Sequence, residues 1–234
     1  MKIIAHRCGP GAHPEQTIAA AAYSLELGAD YVEIDVRFTS DNIPVVCHDK
    51  KATRLFGLNK NIYEMTSTEF LSLRHLSDRR YRSHSLDDVL DCRIAPILLH
   101  CKVSGRFIYD LLYCLRRHNY ENKVVIGVQS ADDVSIIKNY NSDIQTLAFM
   151  QNHNHYKLFI QKGADVIRLW EPWVTARAVD RIHKAGCKVW VMACNVIRGG
   201  IGYTSEKKLH LWADMGVDGM LVNDVCWALE VIRS

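Results

Sequence analysis

The chain has 234 residues, of which 48% are hydrophobic and 24% are charged, and its formal net charge at pH 7 is +3. This length and composition predict a single globular domain over residues 1–234 that can bury a full hydrophobic core. Because the positive charges are spread along the chain and not concentrated in a basic run, they argue against nucleic acid as the main partner. This modest positive net charge fits a small anionic substrate better.

No charged N-terminal segment is followed by the long apolar run of a secretory signal, and no stretch approaches the roughly 18 consecutive apolar residues of a membrane span. The eight cysteines are scattered and lack the regular spacing of a disulfide framework. We therefore expect a cytoplasmic protein with reduced thiols and no transmembrane segment.

The first predicted strand is the apolar run KIIAHR, Lys2 to Arg7, which closes with His6 and Arg7. Next come a loop rich in glycine and proline and then an alanine-rich helix. We expect Gly28 to end this helix, because glycine readily takes the left-handed conformation that closes helices. Residues 31–49, YVEIDVRFTSDNIPVVCHD, contain the second strand, a short companion strand at 43–47 and the pair His48 and Asp49.

Two carboxylates share one face of the second strand. Glu33 and Asp35 are two positions apart, so their side chains point the same way, while the aliphatic residues that alternate with them supply the opposite, buried face. Two like charges side by side among aliphatic residues are costly unless a cation lies between them. The pair therefore predicts a metal-binding and acid/base site. The alternative is an exposed edge strand with scattered acids.

Residues 49–85 form a polar, basic insertion in which we expect one brief helix, with Thr66 and Glu69 at the positions of a capping box. From Leu86 onward, short apolar strands alternate with amphipathic helices. The predicted strands are 97–102, 124–128, 145–149, 166–170, 188–193 and 219–222. The predicted helices are 106–118, 131–139, 155–162, 175–185, 205–215 and 225–233.

Eight strand–helix alternations in a chain of this length predict an α/β fold, a (β/α)8 TIM barrel with a short insertion after strand two. A doubly wound open sheet is the alternative, but no GxGxxG or P-loop motif follows any predicted strand. In a barrel, the carboxyl ends of the first three strands are neighbours. We therefore expect three pairs of polar residues to converge there: His6 and Arg7, Glu33 and Asp35, and His100 and Lys102.

The sequence resembles the glycerophosphodiester phosphodiesterase family at a series of motifs that follow one another over nearly the whole chain. The motifs are HR at 6–7, PEQT at 14–17, GADYVEIDVRFTSDNIPVVCHD at 28–49, Lys102 at the end of strand three, and GVDGMLVND at 216–224. The combination of HR, ExD and HD is specific to that family. The resemblance implies a (β/α)8 barrel that hydrolyses a small-molecule phosphodiester and releases an alcohol such as choline or ethanolamine.

The resemblance also implies roles for individual residues. His6 and His48 match the histidines that act as general acid and base, in an order that the sequence does not reveal. Glu33 and Asp35 match carboxylates that bind a divalent cation, commonly Mg2+ or Ca2+. Arg7 and Lys102 match the basic residues that lie where the family binds phosphate.

Several positions depart from the family pattern. His100 stands where a third metal carboxylate is usual, two positions before Lys102. A neutral imidazole there lowers the negative charge of the site and favours Mn2+ or Zn2+ over Ca2+ and Mg2+. The alternative is that His100 only forms a hydrogen bond to Glu33 or Asp35 and does not bind the metal. The other departures are Cys8 for glycine, Gln16 for asparagine and Asn223 for aspartate.

The chemistry of phosphodiester cleavage calls for the same groups. A phosphodiester is negatively charged at pH 7, so its cleavage needs a cation or basic side chains to neutralise charge on the phosphoryl oxygens. It also needs a base for the attacking oxygen and an acid for the leaving alkoxide, and two histidines can provide them. We therefore predict a metal-dependent phosphodiesterase that hydrolyses glycerophosphodiesters to an alcohol and glycerol phosphate.

Two alternatives to this function remain open. One is a lysophospholipase D-like or cyclising phosphodiesterase that acts on a lipid, for which the polar insertion at 49–85 does not offer the apolar rim that an acyl chain requires. The other is a catalytically impaired barrel that only binds phosphate, because His100 replaces a metal carboxylate. Metal-dependent turnover distinguishes an enzyme from such a binding protein.

Overall fold

The computed structural model describes residues 1–233, and it confirms the predicted (β/α)8 barrel. The strands are β1 (Lys2–Ala5), β2 (Tyr31–Phe38), β3 (Pro44–Val46), β4 (Ile97–Cys101), β5 (Val124–Val128), β6 (Gln145–Ala148), β7 (Val166–Trp170), β8 (Lys188–Met192), β9 (Cys194–Asn195), β10 (Gly200–Ile201) and β11 (Gly219–Val222). Parallel pairing runs in the order β1, β2, β4, β5, β6, β7, β8, β11 and back to β1, so these strands form a closed ring. The strand β3 pairs antiparallel with the far end of β2.

In the described part of the chain, eight helices alternate with the strands of the ring and cover its outside, and two short ones lie in the insertion at residues 49–85. They are α1 (Ile18–Leu27), α2 (Thr53–Phe56), α3 (Ser67–Leu71), α4 (Leu86–Asp91), α5 (Arg106–Arg117), α6 (Ala131–Tyr140), α7 (Tyr156–Gln161), α8 (Ala176–Lys184), α9 (Glu206–Asp214) and α10 (Val225–Arg233). Short 3-10 turns lie at His6–Cys8, Ile62–Glu64, His153–His155, Glu171–Trp173 and Val196–Arg198. Among the described residues, no helix is both long and apolar enough to cross a membrane.

The alternation of side chains along each strand divides the core into two layers. One face of every strand packs outward against the helices and forms the larger apolar cluster. The other face fills the inside of the ring, where a second cluster consists of Ile4, Leu98, Val125, Leu147, Phe149, Val166, Trp190, Met192 and Leu221. Because the lower ring is packed with these side chains, only its upper end is open for polar groups.

The first helix forms as the sequence predicts. The Thr17 hydroxyl accepts a hydrogen bond from the backbone N–H of Ala20 at 3.1 Å, which satisfies one of the free donors of the first turn. The helix ends at Gly28, whose φ of 106° lies in the left-handed region that residues with a Cβ avoid. This helix fixes the return of the chain into β2, which carries the carboxylates.

The region between β3 and β4 differs from the prediction in two respects. The insertion has two short α-helices and one 3-10 turn instead of one brief helix, and it has a small core of its own. The core residues are Val45, Cys47, Ala52, Leu55, Phe56, Ile62, Met65 and Phe70. The capping box at Thr66 and Glu69 is confirmed, with the Glu69 carboxylate 2.9 Å from the Thr66 backbone nitrogen.

The helix α4, which precedes the third strand of the barrel, was not predicted from the sequence. Ser85 and Asp88 form a second capping box, in which the Ser85 hydroxyl accepts from the Asp88 backbone N–H at 3.0 Å. The pattern of a serine followed three residues later by an aspartate, just before an apolar run, was the available signal. The helix is only six residues long, so hydrophobic periodicity could not reveal it.

Candidate active site

A cavity of about 180 Å³ opens at the carboxyl ends of the barrel strands. Six of the seven predicted site residues line it: His6, Arg7, Glu33, His48, His100 and Lys102. The seventh, Asp35, lies directly behind the wall, fully buried and 2.9 Å from the Lys102 ammonium. The structure therefore brings together all the residues selected from the sequence, although they come from two strands, β2 and β4, and from the segments that follow β1, β3 and β4.

The sequence predicted that the two carboxylates lie at the end of the second strand, but the structure places them in its middle. Glu33 and Asp35 are the third and fifth of the eight residues of β2, which continues to Phe38 because its last residues pair with β3. Register with β4 places Asp35 directly opposite His100. The acidic pair is therefore held in the rigid middle of a barrel strand.

Each carboxylate has one oxygen fixed by a neutral N–H donor. The backbone N–H of Arg7 donates to Glu33 Oε2 at 2.7 Å, and the Gln16 amide donates to Asp35 Oδ2 at 2.6 Å. The second oxygens face the same nitrogen, His100 Nδ1, at 3.3 Å from Glu33 Oε1 and 3.1 Å from Asp35 Oδ1. Donor atoms of Glu33, Asp35 and His100 all lie within 4.8 Å of one another.

These three donors suit a divalent cation. Two buried carboxylates and one imidazole converge, and each carboxylate oxygen that faces the common point is left free of backbone donors. A cation of this kind would repay the cost of burying two negative charges. The ring of His100 is held in place because it stacks on Phe149 with a centroid distance of 3.6 Å. This donor set is consistent with the metal site that the sequence predicts.

In this structure the ammonium of Lys102 supplies the opposite charge. Lys102 Nζ lies 2.9 Å from Asp35 Oδ1 and 3.0 Å from His100 Nδ1. Burial by itself would raise the pKa of Asp35, but the Lys102 charge and the contact with His100 hold that pKa well below its usual range. Asp35 is therefore an anion at any pH near neutrality.

His6 lies in a strained turn at the end of β1. Arg7 and Cys8, which follow it, have φ angles of 50° and 68°, in the left-handed region that costs a residue with a side chain roughly 1 kcal/mol or more. The position of Cys8 is the one where the related family has glycine, which would adopt this conformation without strain. The turn directs the Arg7 backbone N–H at Glu33 and the imidazole of His6 into the cavity.

The hydrogen bonds of His6 define its tautomer. Asn223, at the end of β11, donates through Nδ2 to the carbonyl of Ile201 at 3.1 Å, so its Oδ1 faces His6 Nδ1 at 2.8 Å and must accept from it. The proton of the neutral ring is therefore on Nδ1, and Nε2 carries the lone pair. Burial lowers the pKa of His6, and the charge of Glu33 and the Asn223 bond offset this only in part.

The second histidine is held at both nitrogens. His48 Nδ1 lies 2.6 Å from Asp49 Oδ1, and the Arg7 guanidinium reaches His48 Nε2 at 3.0 Å. Arg54 connects this pair to the loop after β1, because it binds both Asp49 and Glu15 at 2.6 Å. Arg54 was not predicted as a site residue, because its only signal in the sequence was its place in a basic insertion.

Other cavity residues that the sequence analysis did not select come from strands farther along the chain. Phe149, Trp170 and Met192 are apolar, so nothing distinguished them from ordinary core residues. Arg168 did carry a signal: it is the one charged residue in the run VIRLW, at a position on the same face of the strand as the inward-facing Val166 and Trp170. A charge on the inner face of a barrel strand must lie at the site or be paired.

The fold and the cavity define a (β/α)8 barrel that carries acid/base and metal-type ligands at the carboxyl ends of its strands. The family model described as glycerophosphoryl diester phosphodiesterase matches residues 6–104. A glycerophosphodiester phosphodiesterase of Caldanaerobacter subterraneus is 28% identical over 255 aligned positions, covering 99% of this chain and 98% of that protein. These two matches confirm the resemblance to the glycerophosphoryl diester phosphodiesterase family seen in the motifs of this chain.

Two further proteins are similar to this chain. Human lysophospholipase D GDPD1 is 29% identical over 64% of this chain and 52% of its own length, so this chain matches only about half of that relative. An Oleispira antarctica phosphodiesterase, solved in complex with the product sn-glycerol-3-phosphate, superposes with a TM-score of 0.86 at 18% identity, covering 100% of this chain and 97% of the other. At that identity the superposition establishes the shared fold.

Proposed function

We propose that this chain, as a single domain over residues 1–234, is a metal-dependent glycerophosphodiester phosphodiesterase. The observation that carries the proposal is the convergence, in one cavity, of two histidines and two basic side chains beside a buried cluster of potential metal ligands. The family match and the relative solved with sn-glycerol-3-phosphate support a product of that kind. The products would be an alcohol and glycerol phosphate.

In this proposal Glu33, Asp35 and His100 would hold the divalent cation, Mg2+, Ca2+ or Mn2+. When bound, such a cation supplies positive charge that stabilises the phosphoryl oxygens as negative charge builds on them. The two basic side chains, Arg7 and Lys102, would add to that charge at the phosphate. Lys102 has its ammonium on Asp35 in this structure, so a cation that replaced it there would release it toward the substrate.

We assign His6 as the general base and His48 as the general acid. His6 is neutral at pH 7, with Nε2 free to accept a proton from the attacking hydroxyl as the new P–O bond forms. His48 has a carboxylate partner in Asp49, which orients the ring so that its other nitrogen can deliver a proton to the leaving oxygen as the P–O bond breaks. A bound phosphate would draw the Arg7 guanidinium away from His48 Nε2 and leave that nitrogen open for the proton.

Purified protein should be assayed on a panel of glycerophosphodiesters, with chelator and then with Mg2+, Ca2+ or Mn2+ restored. We expect turnover that the chelator abolishes and the metal restores, with glycerol phosphate and the free alcohol as products. A cyclic phosphate trapped early would show that the neighbouring glycerol hydroxyl attacks first and water second. Full activity in the chelator would contradict the metal role, and binding without turnover would favour the catalytically impaired barrel.

A second candidate, a lysophospholipase D-like activity, is favoured by one feature of the cavity rim. The hairpin formed by β9 and β10 has Val196 and Ile197 at its tip, 86% and 97% exposed, and its Ile201 lines the cavity. The polar insertion thus does not provide an apolar rim, but this hairpin does. Because the cavity of about 180 Å³ fits only a head group, an acyl chain would have to lie along the hairpin. Comparing lysophosphatidylcholine with glycerophosphocholine as substrates tests this.

The preference among metals should depend on His100. Its imidazole replaces a hard oxygen ligand with a nitrogen, so we expect the protein to bind Mn2+ more tightly than Ca2+. In a His100→Glu variant the preference should move toward Ca2+ or Mg2+, measured by calorimetric titration with each ion. His183→Glu, at an exposed position outside the cavity, is the control for adding an acidic side chain. If His100→Glu leaves both affinity and ranking unchanged, His100 is not a ligand.

The pH profile should depend on Asn223. An Asn223→Asp change would place a negative charge against His6 Nδ1 and raise the pKa of His6. Because the base must be unprotonated, the acidic limb of kcat/KM should move to higher pH, by about one unit or more. Asp224→Asn, which alters a neighbouring charge that caps α10 without touching His6, should leave the limb in place. An unmoved limb in Asn223→Asp would remove His6 from the role of base.

A further inference from the structure

Arg168 is a buried cation in the cavity wall for which the proposed chemistry has no use. It is the third residue of β7, and its side chain points into the ring together with Val166 and Trp170. Only 2% of its surface is exposed. Burial lowers the pKa of Arg168 to about 9, against a smaller opposing effect of Glu33, so the guanidinium is still charged at pH 7.

The hydrogen bonds of this guanidinium are incomplete. Nη2 donates to the carbonyl of Met150 at 3.2 Å, whereas Nε and Nη1 are buried and have no acceptor among the described residues. Within residues 1–233, no carboxylate lies within ion-pair distance of Arg168. A buried charged donor without an acceptor costs stability, and proteins retain such groups where a ligand completes them.

The surroundings of Arg168 fix its position without neutralising it. Its guanidinium carbon lies 4.2 Å from the ring centre of Trp170 and 5.3 Å from that of Phe149. Both contacts are of the cation–π kind, which orient the guanidinium but supply no anionic oxygen. Phe149 also stacks on His100, so a single aromatic ring contacts both the candidate metal ligand and Arg168. A substrate in this cavity therefore contacts the guanidinium of Arg168, which is held in a fixed position beside the candidate metal ligands.

The group that binds Arg168 need not be the phosphate under attack. That phosphate already has the cation site and two basic side chains, Arg7 and Lys102, in the same cavity. A fixed buried cation would also repel the ammonium of an aminoalcohol that lacks a compensating acid.

We propose that Arg168 is a specificity-determining residue that binds a carboxylate on the alcohol part of the substrate. This inference rests on the proposed glycerophosphodiesterase function. The preferred substrate class would be glycerophosphodiesters whose alcohol carries a carboxylate, as glycerophosphoserine does. Glycerophosphoethanolamine differs from glycerophosphoserine only by lacking that carboxylate, so the two form a matched pair.

The test compares kcat/KM for these two substrates. In the unmodified protein we expect glycerophosphoserine to be preferred by about 10- to 100-fold, which is the effect of a charge-assisted hydrogen bond in a buried site. In Arg168→Met, which removes the charge and keeps an apolar stem against the aromatic rings, the ratio should fall to about one. Arg177→Met, the same change at an exposed position of α8, should leave the ratio as it was.

The other outcomes each overturn the inference in a different way. A ratio near one in the unmodified protein shows that no carboxylate is recognised. An equal loss for both substrates in Arg168→Met shows that Arg168 binds the shared phosphate instead. Hydrolysis of neither diester by the unmodified protein overturns the proposed function itself. A circular dichroism melt checks the fold of Arg168→Met, and if that variant does not fold, the ratio in the unmodified protein decides.

Discussion

Replacing His6 or His48 with glutamine will lower kcat on a glycerophosphodiester by about 100-fold or more, because one positioned acid or base is typically worth 10²- to 10⁴-fold. Glutamine keeps a polar side chain of similar length but cannot carry a proton between substrate atoms. The folded structure should survive both changes, since neither histidine belongs to the apolar clusters. Steady-state kinetics at saturating substrate, together with circular dichroism, measure the two effects.

His183→Gln is the matched control for these variants. His183 lies on α8, is partly exposed and pairs with Asp218 at 2.8 Å, far from the cavity lining. Its loss should leave kcat within about twofold of the unmodified protein, as expected for a surface substitution. Turnover close to that of the unmodified protein in His6→Gln or His48→Gln would exclude that histidine from the chemistry.

The second large effect concerns Glu33 and Asp35. Glu33→Gln or Asp35→Asn keeps the shape of the side chain and removes one negative charge from the ligand cluster, so divalent-cation affinity should fall by at least about tenfold. Thermal melts show this directly, because a cation that binds only the folded state raises Tm by mass action. In either variant, added Mn2+ or Ca2+ should raise Tm much less than in the unmodified protein.

Asp35→Asn should also lower stability without any metal. The side chain of Lys102, which is 10% exposed, would lose its partner Asp35 at 2.9 Å, and its ammonium would lie beside a neutral amide. Asp132→Asn, at a largely exposed acid of α6, controls for the loss of a charge in general. If the melts of Glu33→Gln, Asp35→Asn and the control respond equally to metal, the cluster does not bind it.

Local rules predicted most of this site. Alternation along a strand placed Glu33 and Asp35 on one face, and the adjacency of the first three barrel strands brought His6 and His100 to them. These inferences use only the nearest neighbours in sequence and in the ring. They therefore required no knowledge of the side-chain conformations.

The partners that long side chains select could not be predicted in this way. The side chain of Lys102 pairs with Asp35, and the Arg7 guanidinium turns to His48 and Glu15, because burial and the left-handed turn at Arg7 decide among several possible partners. The core of the insertion was missed because its apolar residues are dispersed among charges with no regular period. Arg168 was missed because its strand lies across the ring from the recognised motifs.

The hydrogen bond between His6 and Asn223 joins residues 217 positions apart. They lie at the ends of β1 and β11, the first and last strands, whose pairing closes the ring. All seven predicted site residues lie before residue 103, yet the nitrogen that His6 offers to the substrate is selected by a residue near the other end of the chain. A refolding chain can therefore recover helix content and ligand cluster early, but it gains a correctly oriented base only when its two ends meet, which makes activity a reporter of ring closure.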